Sequence, residues 1–525
     1  MNQNKQESYK SKKRGWLILA ASVMLVLGAL VLAISIFAEP MLKDRLEQEA
    51  NQALGPEMEL VIGDLSIGYL PLSVTVRNVD LIVLEGGESD IQWPNSNVES
   101  IKISGIGLRD FIFEDDLNIS TVEINRAILH LVPDLLANIE SGDTDIKIGR
   151  ISLYDSQVNI YPADSDDAHT VIGGIRLSLT DLNVSSDTDQ MNEMVGSLDL
   201  QVRSASHVTE DGYYEVRSSD LRFNLDSREL SMETIAVIPL LSPHELPASL
   251  GHETDHFDIS SQHVSIRGID IDQWFESEVV SISVIELNDL ILEISRDKNH
   301  PDKPRTAVLL LNEQFANLDI ETSIGTLLWK GGYIMYREME EGQDQYGEIL
   351  FDAVDIEFFG IQNVNPDETI KATASCLFMG LSELNVDFEF FLENNAAQNI
   401  SGSLGQIDLK ELNTVLEPLA FVKIKEGDLK SMTFEFTADD NGAKGELMII
   451  YDNLTIRILD EENLEQTATR NVASFFANLI AIRSSNSEDD PRMGEIALER
   501  DEERSMFTYW WHILRDGLMS SVARV

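Results

Sequence analysis

Apolar residues alternate with polar ones along most of this chain, and that constrains the fold more than any other feature. Side chains of a strand point to opposite faces in turn, so alternation specifies strands with one buried and one wetted face. One apolar spacing recurs. Val74, Val76, Leu81 and Val83 stand at i, i+2, i+7 and i+9, as do Val122, Ile124, Leu129 and Leu131. Ile151, Leu153, Val158 and Ile160 repeat it, and so do Ile175, Leu177, Leu182 and Val184. Ile285, Leu287, Leu292 and Ile294 form a fifth instance, and Leu327, Trp329, Ile334 and Tyr336 a sixth. The middle step of five is odd and would carry the side chain to the wrong face of a flat strand. A one-residue bulge restores the face, and Asn78, Asp155, Asp289 and Gly331 stand where it is expected.

Turn clusters come every ten to fifteen residues without a globular boundary, which predicts an elongated, stacked, mainly β architecture. At one strand and turn per dozen residues, about 40 strands are expected. A series of ordinary β-sandwiches is the alternative. Helices are few: 41–54, which ends at Gly55-Pro56, a turn or two in 133–140, 408–421 until Pro418, 471–482 and 505–519. Residues 484–504 are acidic and read as a linker.

The N-terminus is a different solution to the same physics. Trp16 to Ala38 contains no charge and is long enough to span a bilayer as a helix. Lys5, Lys10, Lys12, Lys13 and Arg14 precede it, and Glu39, Asp44, Glu47 and Glu49 follow it. The positive flank places 1–15 in the cytoplasm and the rest outside. A cleaved signal peptide is the competing reading. Its apolar core would be unusually long, and Ile36-Phe37-Ala38 is a poor cleavage site. The domain plan is a basic tail (1–15), an anchor (16–38), an amphipathic helix (39–57), a β region (58–483), a linker (484–504) and a terminal helix (505–525).

With 39 Lys+Arg against 91 Asp+Glu, the formal net charge is −52. That charge repels nucleic acid, so no nucleic-acid partner is expected. The acid is interleaved with apolar residues, as on a folded core with a solvated exterior. One cysteine, Cys376, excludes an intrachain disulfide and reads as a buried strand residue.

The sharpest catalytic signal is GHETDHF (251–257), in which His252-Glu253-Thr254-Asp255-His256 fits the zinc-protease pattern H-E-x-x-H. That chemistry needs both histidines on one helix face. Here Gly251 and Pro247 precede the motif, a strand pattern follows it, and it reads as an exposed polar loop. His130, His169, His207, His263 and His512 show no ligand spacing. No nucleophile elbow or phosphate loop is present, and ADSDDAH (163–169) lacks a calcium-loop frame. Neither catalytic residues, a metal nor a cofactor is expected. Phe507, Trp510, Trp511, Leu514 and Leu518 share one face of the last helix, suited either to an interface with a membrane or partner, or to a plug on the sheet end.

Several segments resemble AsmA-like proteins of the bacterial envelope, in the branch found in Bacteroidetes-type bacteria. They are LEQEANQALGPEMELVIGDLSIGYLPLSVTVRNVDLIV (46–83), ISRDKNHPDKP (294–304), IETSIGTLLWKGGYIMYREMEEGQDQYGEILFD (320–352) and LEPLAFVKIKEGDLKSMTFEFTADDNGAKGELMIIYDNLTI (416–456). ASFFANLIAIRSSNS and ERDEERSMFTYWWHILRDGL complete the set. The resemblance implies a long, curled, taco-like sheet with an apolar groove, related to bridge-type lipid carriers. It also implies phospholipid movement between inner and outer membranes, or a scaffolding part in outer-membrane assembly with envelope proteins as partners. Groove candidates are Val76, Ile124, Leu153, Leu287 and Trp329.

Overall fold

The computed structural model describes residues 39–54, 58–69, 72–84, 93–106, 117–132, 146–162, 165–184, 194–303, 307–365, 367–392, 396–459 and 482–522. The anchor and the helices expected at 133–140 and 471–482 lie outside these residues, save Ile482. Among the described residues no helix is long and apolar enough to cross a membrane. The chain is mainly β, with twenty strands and few short helices among the described residues. That is half the number of strands expected, because many strands run 15 to 18 residues. Alternation gives the period of a strand but not where it stops.

The chain divides into two compact units, 1–233 with 271–277, and 234–270 with 278–525. In the first, α1 (Glu39–Leu54) precedes β1 (Met58–Tyr69), β2 (Leu72–Val83), β3 (Ser96–Ile106), β4 (Leu117–Leu131), β5 (Ile146–Ile160), β6 (Thr170–Val184), β7 (Ser197–Val208) and β8 (Tyr214–Asn224). Each strand pairs with the next, antiparallel except for the parallel pair β4–β5. Leu46 and Ala50 of α1 are buried four residues apart, and Leu46 joins a core with Ile62, Leu65, Val74, Val76, Val79, Ile103 and Val122.

Strand β9 (Glu229–Pro239) and α2 (Glu245–Leu250) lead into β10 (Asp255–Ile269) of the second unit. After α3 (Ile271–Ser277) come β11 (Val280–Asp297), α4 (Leu311–Ala316), β12 (Thr322–Met339), β13 (Tyr346–Gln362), β14 (Thr369–Phe378), β15 (Ser382–Phe391), β16 (Gln398–Leu404) and β17 (Ile407–Asp408). A 3₁₀ turn (Leu409–Leu412) opens α5 (Asn413–Ala420), which β18 (Val422–Ala438), β19 (Gly442–Ile458), β20 (Met493–Glu499) and α6 (Met506–Val522) follow. Here the parallel pair is β11–β12; the other described ladders are antiparallel.

Two sequence readings need correction. Helix α5 runs through Pro418 to Ala420. The prolyl ring removes one hydrogen bond near the end of a short helix that Phe421, at φ 53°, closes in any case. The stretch 484–504 is not simply a linker. It contains β20, paired with β19, because Gly494, Ile496 and Leu498 alternate against Glu495, Ala497 and Glu499.

The strands bend where the spacing put the bulges: the ladder register shifts around Asp155, Asp289 and Gly331, and runs unshifted past Asn78. Asn78, Asp155, Asp289 and Gly331 all have positive φ, between 47° and 62°, and Arg126 takes the matching place in β4. In β2 the exposed pair Arg77-Asn78 separates buried Val76 from buried Val79, so the apolar face continues across the left-handed bend. The fourth repeat differs: its left-handed residue is Asp181. A non-glycine residue at such φ is strained unless, like Asn or Asp, it bonds locally. Asp289→Val should therefore lower stability by about 1–2 kcal/mol and Asp289→Gly should not, as urea unfolding of the two variants would report.

The spacing repeat reflects a duplicated module. The β3–β4–β5–β6 arrangement, antiparallel, parallel, antiparallel, recurs as β10–β11–β12–β13. Pair Ile124↔Leu153 corresponds to Leu287↔Trp329, and Val122↔Ile151 to Ile285↔Leu327. Gly105 and Gly268 stand at φ 68°, and at each a Cβ would come within 2.2 Å of a serine Oγ, of Ser120 and Ser283 respectively. The same left-handed bend near a strand end is thus required twice, at a point where only glycine fits.

Candidate functional site

Register assembles the alternating residues into rows. In the first unit Leu65, Val76, Ile101, Ile124, Leu153, Leu177, Leu200 and Phe223 stand opposite one another across eight strands. A parallel row runs through Ile67, Val74, Ile103, Val122, Ile151, Leu179 and Leu198. In the second unit Leu287, Trp329, Ile356, Ala374, Val386, Gly402, Phe434 and Leu447 are in register from β11 to β19. Cys376 belongs to a neighbouring row with Leu384, Leu404, Met432 and Ile449. Burial holds its thiol up at about 11, which makes it a slow nucleophile.

The rows differ in how they are covered. Val76 is 1% exposed, inside the core that includes Leu46 of α1, and Ile124 packs against that core half-buried. Further along, Leu153, Leu177, Leu200 and Phe223 are all half-buried, while Arg176, Ser178, Asp199 and Gln201 of the other face are exposed. At about 4.8 Å per strand, these four make an apolar stripe roughly 15 Å across. In the second unit Leu287 and Trp329 are also half-buried. The Trp329 indole lies over Gly332, and its buried Nε1–H has no hydrogen-bond partner among the described residues. Toward β20 the face closes. There Phe434, Phe436, Leu447 and Ile496 form a core with Tyr509 and Ile513 of α6.

Helix α6 packs on β19 and β20 along a stripe other than the expected one. Met506, Tyr509, Ile513, Gly517 and Ser521 are buried, whereas Phe507 is 65% and Trp511 50% exposed. Trp510, Leu514 and Leu518 flank the stripe, half-buried against the same core. The expected single face of Phe507, Trp510, Trp511, Leu514 and Leu518 is thus split, because close approach selects small residues. A Cβ on Gly494 would lie 2.0 Å from the Gly517 carbonyl oxygen. Trp510 donates to Gln398 Oε1 at 2.9 Å and its ring meets Phe388 at 5.4 Å. The β20 backbone N–H groups of Glu495 and Ala497 donate to Ser520 Oγ and Asp516 Oδ2, so the helix satisfies donors along that strand.

Burial lowers the His512 imidazole to about 4, with help from Arg515 and Arg504. Its folded value lies below the 6.5 of the unfolded chain, so this residue costs nothing above pH 6.5. It opposes folding progressively as pH falls from 6.5 toward 4. The urea midpoint of the wild type should drop between pH 7 and pH 5 by more than that of His512→Gln.

At one end of the second unit's apolar face, charge replaces hydrocarbon. Arg296 donates twice to Asp255, both bonds 2.8 Å. Lys298 reaches Glu338 at 2.6 Å and Glu340 at 3.1 Å, and Tyr336 donates to Glu338 at 2.6 Å. Burial alone would lower the Lys298 ammonium, but Glu338 and Glu340 override it and hold it above its usual range. Burial raises the nearby Glu253 carboxyl. This paired rim was not legible in the sequence, since its members lie on three strands.

The H-E-x-x-H histidines are not on a helix, as expected, but the loop is less exposed than expected. Strand β10 begins at Asp255, and His256 is buried with Nε2 2.9 Å from the Leu241 carbonyl oxygen. His252 Nδ1 lies 2.9 Å from the Glu253 carbonyl oxygen. This is not the helical geometry of a zinc protease.

Compared with known proteins, the chain matches no family model and no curated sequence.

Proposed function

We propose that this is a membrane-anchored, AsmA-like envelope protein that binds phospholipid acyl chains along the apolar face of a curled sheet and passes them between the inner and outer membranes. The observation that carries the reading is the in-register apolar row in each unit, half-buried at Leu153, Leu177, Leu200 and Phe223 and again at Leu287 and Trp329. Each methylene buried there contributes about 0.8 kcal/mol, which suits a lipid tail and requires no reaction. The anchor at 16–38 sets the inner-membrane end, with the bulk of the chain in the periplasm.

The test is native mass spectrometry of the full chain, released gently from detergent, with bound lipid identified afterwards. Wild type should carry phospholipid. Leu287→Asp and Leu200→Asp should keep the wild-type circular dichroism and lose that lipid several-fold. Equal lipid in folded Leu287→Asp would sink the groove assignment. A scaffold in outer-membrane assembly is the second reading, favoured by the outward Phe507 and Trp511. It predicts that Phe507→Ala with Trp511→Ala removes crosslinks to envelope proteins while lipid occupancy stays unchanged.

A further inference from the structure

We propose that His244, Asp297 and His300 bind one divalent transition-metal ion of the zinc class. The three residues come from the start of α2, the end of β11 and the turn after it, and their donor atoms all lie within 4.8 Å of one another. Asp297 has a fully buried side chain. Its Oδ1 accepts from the Asn299 backbone N–H at 2.9 Å and from Asn299 Nδ2 at 3.0 Å, which aims Oδ2 at the two imidazoles. Oδ2 is 2.8 Å from His244 Nδ1 and 3.8 Å from His300 Nε2.

These distances bracket the spacing a metal needs. Legs of about 2.0–2.1 Å at tetrahedral angles put ligand atoms roughly 3.3 Å apart. A plain pairing with Asp297 gives His244 a hydrogen bond at 2.8 Å but His300 only a charge contact at 3.8 Å. It leaves His300 Nε2, which is buried and has no hydrogen-bond partner among the described residues, unexplained. A metal ion satisfies both rings at once. The donor set of two imidazoles and a carboxylate suits zinc-class ions rather than calcium or magnesium. The Asn299 bonds supply the outer support that ligating carboxylates need. His244 is 73% exposed, so one side of the site faces solvent and leaves a fourth position for water. In sequence His244 is 53 residues from Asp297, and a metal would tie the segment leading into α2 to the end of β11.

The experiment uses the full chain in detergent, stripped with a chelator and titrated with Zn²⁺ by calorimetry, with bound metal counted by mass spectrometry. One tight equivalent is expected, together with a higher melting temperature and, with Co²⁺ in place of Zn²⁺, the visible bands of a four-coordinate ion. His244→Ala, an exposed change that keeps the fold, and His300→Ala should each weaken that site at least ~100-fold. Asn299→Ala should weaken it ~10–100-fold. The proposal is overturned if the stripped wild type takes up no tight equivalent. It is also overturned if folded His244→Ala binds zinc as the wild type does, which would place the metal on the acidic surface.

Discussion

Replacing Lys298 with methionine will destabilise the second unit by about 3–5 kcal/mol, the cost of leaving a buried ion pair with one member. Lys298 is the direct hydrogen-bonding cation of both Glu338 and Glu340, whose side chains are 16% and 13% exposed. Arg296 attracts Glu338 but is already committed to Asp255 through two hydrogen bonds. In Lys298→Met the two carboxylates lose their hydrogen-bonding cation, and Arg296, paired with Asp255, replaces it poorly, so protonation of Glu338 must relieve the site. The loss should therefore shrink as pH falls toward the carboxylate range, the reverse of the wild-type trend set by His512. Adding Glu338→Gln should recover more than half of the loss, since removing both partners costs much less than removing one. Urea unfolding of the single and double variants measures this. A loss below about 1 kcal/mol in Lys298→Met would mean that water, not Lys298, solvates the carboxylates.

Gly494→Ala will cost about 1–3 kcal/mol or more, out of proportion to one added methyl. The new Cβ would sit 2.0 Å from the Gly517 carbonyl oxygen and 3.2 Å from that of Leu447, both backbone atoms that cannot rotate away. Helix α6 must lift from β20, breaking the bonds to Ser520 and Asp516 and exposing Tyr509 and Ile513. Trp510 fluorescence, set by its contacts with Phe388 and Gln398, should shift to longer wavelength while the other strands keep their circular dichroism. An unshifted spectrum with wild-type stability would show that α6 is not held by this contact. Gly517→Ala provides a graded comparison, because its Cβ would meet only side-chain atoms, of Ile496 and Leu447, at 2.9 Å.

The two glycines show where reading the chain stops. Period-2 alternation fixes strands, and an odd step of five fixes a bulge, because both follow from geometry within one segment. Hence Asp155, Asp289 and Gly331 were legible as bulges, while Asn78 keeps the left-handed φ without the register shift. The amphipathic helix at 41–54 was legible for the same reason. The buried stripe of α6 was not. Aromatic size suggested Phe507 and Trp511, whereas the close approach of Gly517 to Gly494 selects Met506, Tyr509 and Ile513. Nothing within the helix reveals that partner.

What the sequence determined by itself is therefore local: mainly β strands, their bulges, an acidic exterior and a stretch long enough for a bilayer. Tertiary structure alone decided which strands are neighbours. It made β4–β5 and β11–β12 parallel, repeated one four-strand module, and aligned Leu287 with Trp329 and Ile124 with Leu153. It also brought His244 to Asp297 and His300, and Lys298 to Glu338. Side-chain period is a property of one strand, but register, handedness of crossover and burial of a charge are set by pairing across tens of residues, where many alternating segments fit equally well until packing chooses among them.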